Sequence, residues 1–191
     1  MSTDQARPSA VDAAAGARAA RLLGWAGVVL PPMTLFGVGV LPAVVLNVDA
    51  HEARQAAGDG PQLDSDTLAV WEWPESGAHA PPSVVAVSGL LIPNADPTGQ
   101  GRAALGRARR VRGFRPAAVF TAHGAVDEVC RLEHAFHGIG LVTTTDADDV
   151  VAAAPGRAPR ARRRTADRWV EELLYATAID AGHLPAGDNT P

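Results

Sequence analysis

The sequence predicts an α/β protein: a mixed sheet with an antiparallel front half, a strand–helix–strand–helix–strand back half, and helices on both faces. Three observations carry this. Ser83-Val-Val-Ala-Val-Ser-Gly-Leu-Leu-Ile92 is apolar throughout, as a strand buried on both faces would be. Two further apolar runs, Ala117–Ala122 and Ile139–Thr144, follow at the spacing that leaves room for a crossover helix each time. Between the last two, Val126, Val129, Leu132 and Phe136 recur near helical spacing, with Gly138 placed as a helix cap.

The elements follow in order. Residues 1–11 are polar and contain proline, which predicts a disordered N-terminus. Val11–Leu23 is rich in Ala with Arg and Leu and predicts a helix. The run Leu22–Asn47 carries no charge, follows Arg18 and Arg21, and is long enough for a membrane anchor. Pro31-Pro32 and Pro42 interrupt it, and proline inside a helix removes a hydrogen bond and clashes with the preceding turn. The preferred reading is buried strand over Thr34–Asp49, bent near Pro42, with the anchor as the alternative. Ala50–Asp66 reads as a loop with at most one helical turn. Leu68–Trp73 alternates and ends at Pro74, the pattern of a strand, with Trp71 and Trp73 on one face. A helix is predicted over Gln100–Val111, a short helix or edge strand over Asp146–Ala153, and an amphipathic helix from Thr165. The domain plan is one α/β domain over 12–154, an Arg/Pro-rich linker over 155–164, a C-terminal helix over 165–182 and a disordered tail.

Composition narrows the chemistry. The chain has 191 residues and a net charge of −4, so no whole-protein field pulls it toward nucleic acid. All 17 basic residues are arginine. Without lysine there is no Walker A loop, no Schiff-base chemistry and no lysine general base. The single Cys130 rules out an internal disulfide and fits a cytoplasmic protein.

Gly106-Arg-Ala-Arg-Arg-Val-Arg-Gly-Phe, then Ala118-Val-Phe-Thr-Ala, then His137-Gly-Ile-Gly-Leu-Val142 resembles the back half of the PD-(D/E)XK nuclease superfamily, the restriction-endonuclease-like fold. The resemblance covers about residues 106–164 and implies an Asp plus Glu-x-Lys site that holds Mg²⁺ and activates water. In the implied register the Glu-x-Lys positions fall near Ala86, Val87 and Ser88, where there is no carboxylate, and the chain has no lysine. The resemblance therefore implies a catalytically degenerate protein, a pseudoenzyme without a cofactor, that binds nucleic acid or protein within a bacterial assembly. The rival is a divergent Mg²⁺-dependent nuclease using Asp49, Asp66 and Glu72.

Other residues are candidates by type and spacing. Arg107, Arg109, Arg110, Arg112 and Arg115 form one basic cluster, and Arg157, Arg160, Arg162, Arg163 and Arg164 a second. Both are suited to phosphates, hence to DNA as a partner, with a protein partner or a second copy as alternatives. The bland reading is solvated charge, balanced in part by Asp146, Asp148, Asp149, Glu171 and Glu172. Cys130, His134 and His137 share a helical face and could hold Zn²⁺. The competing reading is a half-buried thiol with two surface histidines beside a Val126/Val129/Phe136 core stripe.

Overall fold

The computed structural model describes residues 10–73, 80–96, 101–122, 126–144, 149–154 and 164–186. The chain divides into two compact units, one of residues 1–44 with 87–157, the other of 45–86 with 158–191.

The first unit is the sheet and its covering helices. The helix α1 (Ala10–Leu22) leads into β1 (Val28–Val29), β2 (Met33–Leu35) and β3 (Val38–Leu46). β2 and β3 form a hairpin across the two-residue turn Phe36-Gly37, with Leu35 opposite Val38. Farther along, β3 pairs with β1 through Val28–Val44 and Val29–Ala43. Pro42 lies between the two pairings and contributes only its carbonyl, which accepts from the Leu30 N–H at 2.8 Å. A residue without an N–H is tolerated there because no ladder bond needs one.

The back half follows the predicted order. β4 (Val85–Pro93), α4 (Arg102–Val111), β5 (Ala117–Thr121), α5 (Glu128–His137) and β6 (Gly140–Thr143) build two crossovers, and β7 (Asp149–Ala152) closes the edge. β4, β5 and β6 are parallel, β6 and β7 antiparallel, and the strand order is β1-β3-β4-β5-β6-β7 with β2 on β3. The mixed sheet of the sequence-based expectation is thus present. Ala19 and Ala20 of α1 pack on Leu41, Ala43, Leu91, Ala118, Phe120 and Val142. The crossover helices α4 and α5 pack on β5 and β6.

β4 differs from its expectation in one respect. Val85 and Gly89–Ile92 are buried, but between them Ala86 is exposed and Val87 and Ser88 are half-buried. At the start of that second buried stretch the Trp25 ring lies over Gly89: a Cβ there would stand 2.3 Å from it. Ser88 Oγ beside it donates to the Ala26 carbonyl at 2.9 Å. The glycine is a packing requirement rather than a break in the strand.

The second unit is helical where the sequence suggested loop and strand. α2 (Val48–Ala57) occupies most of the predicted loop, and α3 (Ser65–Val70) replaces the predicted Leu68–Trp73 strand. Both helices are fixed at their ends. The Asn47 side chain accepts from Ala50 N–H at 3.0 Å, and Gly58 closes α2 at φ 75°. Asp64 accepts from both the N–H and the hydroxyl of Thr67, at 2.8 and 2.7 Å. These caps outweigh the alternation of Leu68, Val70 and Glu72, and leave only Leu68 fully buried on α3. α3 packs on α6 (Thr165–Asp180), the C-terminal helix. No described helix is long and apolar enough to cross a membrane, and the charge-free Leu22–Asn47 run is a string of short strands and turns.

Candidate functional site

α4 builds its basic surface from a regular pattern. Ala104, Leu105, Ala108 and Val111 are buried, which turns Arg102, Arg109 and Arg110 outward. The helix contains no acidic residue, and its last turn carries Arg109 and Arg110. Arg102 is held by Glu133 at 3.4 Å in an exposed pair. Arg107 is half-buried and donates to the Pro93 carbonyl at 2.8 Å, so it ties the helix to the end of β4. Arg112, just past the helix, is exposed; Arg115 donates to the Phe114 carbonyl at 2.9 Å. Arg109 and Arg110 have no carboxylate partner among the described residues. Of the second basic cluster, Arg157, Arg160, Arg162 and Arg163 lie outside the described residues. Arg164 is exposed at the start of α6, in the other unit.

The candidate carboxylates all fall in the second unit and are held separately. Asp49, in the first turn of α2, lines an open cavity of about 420 Å³ with Asn47, Val48, Ser83 and Val85. Asp66 is exposed in the first turn of α3. Glu72 accepts from the Thr165 hydroxyl at 2.5 Å. Asp64 is a helix cap, and its bonds from Thr67 hold its carboxyl below the usual range. Among the described residues no group of three or more His, Cys, Asp or Glu converges in a way that could hold a metal ion.

Sequence reasoning missed the polar interior of this second unit. Arg54 is fully buried and makes a two-point ion pair with Glu172, at 2.7 and 2.9 Å. Its other N–H groups reach the carbonyls of Gly60 and Asp59 at 2.6 and 3.3 Å. Glu172 also accepts from the Gln62 N–H at 2.8 Å. The guanidinium sits 4.9 Å from the centre of the Tyr175 ring, and the Tyr175 hydroxyl lies 3.0 Å from His51 Nδ1. Glu171, also buried, is 3.2 Å from the Ser83 hydroxyl. Glu171 and Glu172 are therefore not solvated counterweights to the basic linker, as their sequence context suggested. No local signal marks them, because an Arg on an Ala-rich helix and a Glu pair on another read as ordinary surface.

α5 inverts its predicted pattern. Val129 and Leu132 are more than half exposed and Phe136 is 86 % exposed, so they are not a core stripe. The buried face is Cys130 and His134, at 3 % and 0 %. His137 is only half-buried. The Asp127 side chain caps the helix by accepting from the Cys130 N–H at 2.6 Å. Burial first, then the neighbouring Asp127 and Glu133 carboxylates, push the Cys130 thiol up. Burial pushes His134 below the ordinary imidazole value. Among the described residues neither of its ring nitrogens makes a regular hydrogen bond, and the nearby Gly140 and Ile139 backbone pulls the other way. A thiol held protonated is a poor start for thiolate ligation.

No family model, no curated protein and no solved structure matches the chain.

Proposed function

We propose that this chain is a nucleic-acid-binding module of a larger assembly, with a nuclease-like α/β plan and without nuclease chemistry. The observation that carries the reading is the end of α4, where Arg109 and Arg110 project from a helix with no acidic residue and, among the described residues, no carboxylate pairs with either. Exposed, unneutralised guanidiniums bind phosphates two-point and gain from counterion release. The absence of lysine and the separation of Asp49, Asp66 and Glu72 favour binding over cleavage.

Titration of labelled DNA at several salt concentrations tests this. In Arg109→Ala/Arg110→Ala, affinity near 0.1 M salt should fall by about 10- to 60-fold, and the salt slope by roughly 1 per arginine. Equal affinity in wild type and variant would refute it. Mg²⁺-dependent cleavage of DNA that disappears in Asp66→Ala would replace it with the nuclease reading.

A second reading, contact with a protein partner or a second copy, is favoured by the ridge of Val129, Leu132 and Phe136 on α5. Exposed apolar residues in a row at helical spacing are what a partner helix would cover. Concentration-dependent light scattering that is abolished in Phe136→Glu would support it.

A further inference from the structure

We infer that the carboxyl edge of the parallel strands is a further binding site, separate from Arg109 and Arg110, which takes a phosphate-bearing small molecule between Asn94 and the first turn of α4. Asn94 directly follows β4 and is 8 % exposed. Its side-chain oxygen accepts from the Asp96 N–H at 3.2 Å. Its Nδ2 is buried and donates to nothing among the described residues. A buried donor left without an acceptor is destabilising and rare in folded proteins. Such a group points to an acceptor supplied from outside the chain.

The sheet directs that amide toward α4. The Asn94 N–H donates to the Phe120 carbonyl at 2.9 Å, which carries the β4–β5 ladder one residue past the Pro93–Phe120 pair. Side chains alternate along a strand, and Leu91, Ala118 and Phe120 face α1. Asn94 therefore shares the opposite face with Ile92 and Thr121, where the crossover helices pack. From that side Arg107, half-buried, donates at 2.8 Å to the Pro93 carbonyl, the oxygen of the peptide bond that Asn94 completes. Helical side chains lean toward the N-terminus of their own helix, so this bond sets the first turn of α4 beside the end of β4.

That first turn is left uncompensated by the chain itself. Its cap, Gly101 at φ 57°, has no side chain to accept from the helix, and the turn carries no acidic residue. It begins instead on Arg102, the wrong charge for the positive end of a helix dipole. Arg107 has no carboxylate partner among the described residues. Asp96, half-buried, already has an interaction of its own. A strand end, a helix side and a helix end thus each bring donors. A tetrahedral phosphate offers oxygens to all three at once, which a planar carboxylate does not.

Titration of inorganic phosphate into nitrogen-15-labelled full-length protein, with ionic strength held constant by sodium chloride, tests this. The Asn94 side-chain amide and the backbone amides of Arg102, Ala103 and Ala104 should shift together and saturate. Shifts confined to Arg109 and Arg110, or shifts that never saturate, would overturn the inference. Adenosine monophosphate should move the same amides and adenosine should not; equal shifts from adenosine would show that the phosphoryl group is not what binds. Asn94→Asp keeps the oxygen that accepts from Asp96 and puts a carboxylate in place of the unpartnered donor, so phosphate affinity should fall by at least about 10-fold. Arg107→Gln retains a donor for the Pro93 carbonyl and should lose about 10- to 150-fold. Wild-type affinity in either folded variant would also overturn the site. Where Asn94→Asp fails to fold, Arg107→Gln and the wild-type titration decide.

Discussion

α4 and α5 are both ten-residue crossover helices on the parallel part of the mixed sheet, and they treat apolar residues in opposite ways. α4 buries Ala, Leu and Val and shows arginine. α5 buries a cysteine and a histidine and shows valine, leucine and phenylalanine. Small side chains let α4 sit close to β5, so its apolar face is consumed by the sheet. On α5 the face turned inward carries Cys130 and His134, between the Asp127 and Gly138 caps. The strongest apolar stripe of a crossover helix can thus lie on its exposed face.

Paired substitutions break or sharpen this contrast. Val111→Asp on α4 places a charge at a fully buried position and should cost more than about 3 kcal/mol in urea unfolding. A loss under about 1 kcal/mol would mean that the buried face of α4 is misplaced.

The next effect is acid sensitivity at His134. Its folded pKa lies below the ordinary value of 6.5, so the unfolded chain binds the extra proton and stability rises with pH. The contribution is fully present above the unfolded value and is lost as pH falls through 6.5 toward the lower folded value. The urea midpoint of wild type should therefore drop more between pH 8 and pH 5 than that of His134→Leu. Parallel profiles would show that the imidazole is not buried as a neutral ring.

The smallest effect is Leu132→Asp on α5. The same kind of change that unfolds α4 should move stability by no more than about 0.5 kcal/mol here, because Leu132 is exposed. A large loss in dilute monomeric protein would return Leu132 to the core and cancel the contrast.

The same two helices show what the sequence could disclose. The sheet plan was legible because apolar runs at crossover spacing have few other solutions. α4 was legible because its pattern and its packing agree. α5 was misread because periodicity weighs Val129, Leu132 and Phe136 above Cys130 and His134. α3 is hidden in the sequence because the alternation of Leu68, Val70 and Glu72 competes with the Asp64–Thr67 cap. Of the candidate site, the arginines could be read directly, but the bond from Arg107 to the end of β4 could not. It joins a helix to a strand end, and only the completed crossover brings them together. The Arg54–Glu172 pair is of the same kind.

That pair also bears on the order in which the chain can mature during synthesis. Glu172 follows Arg54 by 118 residues. At about 5–20 residues per second the ribosome needs roughly 6–24 s to supply it. Until then Arg54 lacks the carboxylate that it pairs with in the folded unit, and burying its guanidinium without that partner would be strongly unfavourable. The segment 45–86 is therefore made early and finished late. A stop codon or a nick before α6 should leave that segment open to proteases, even though it lies far upstream of the lesion.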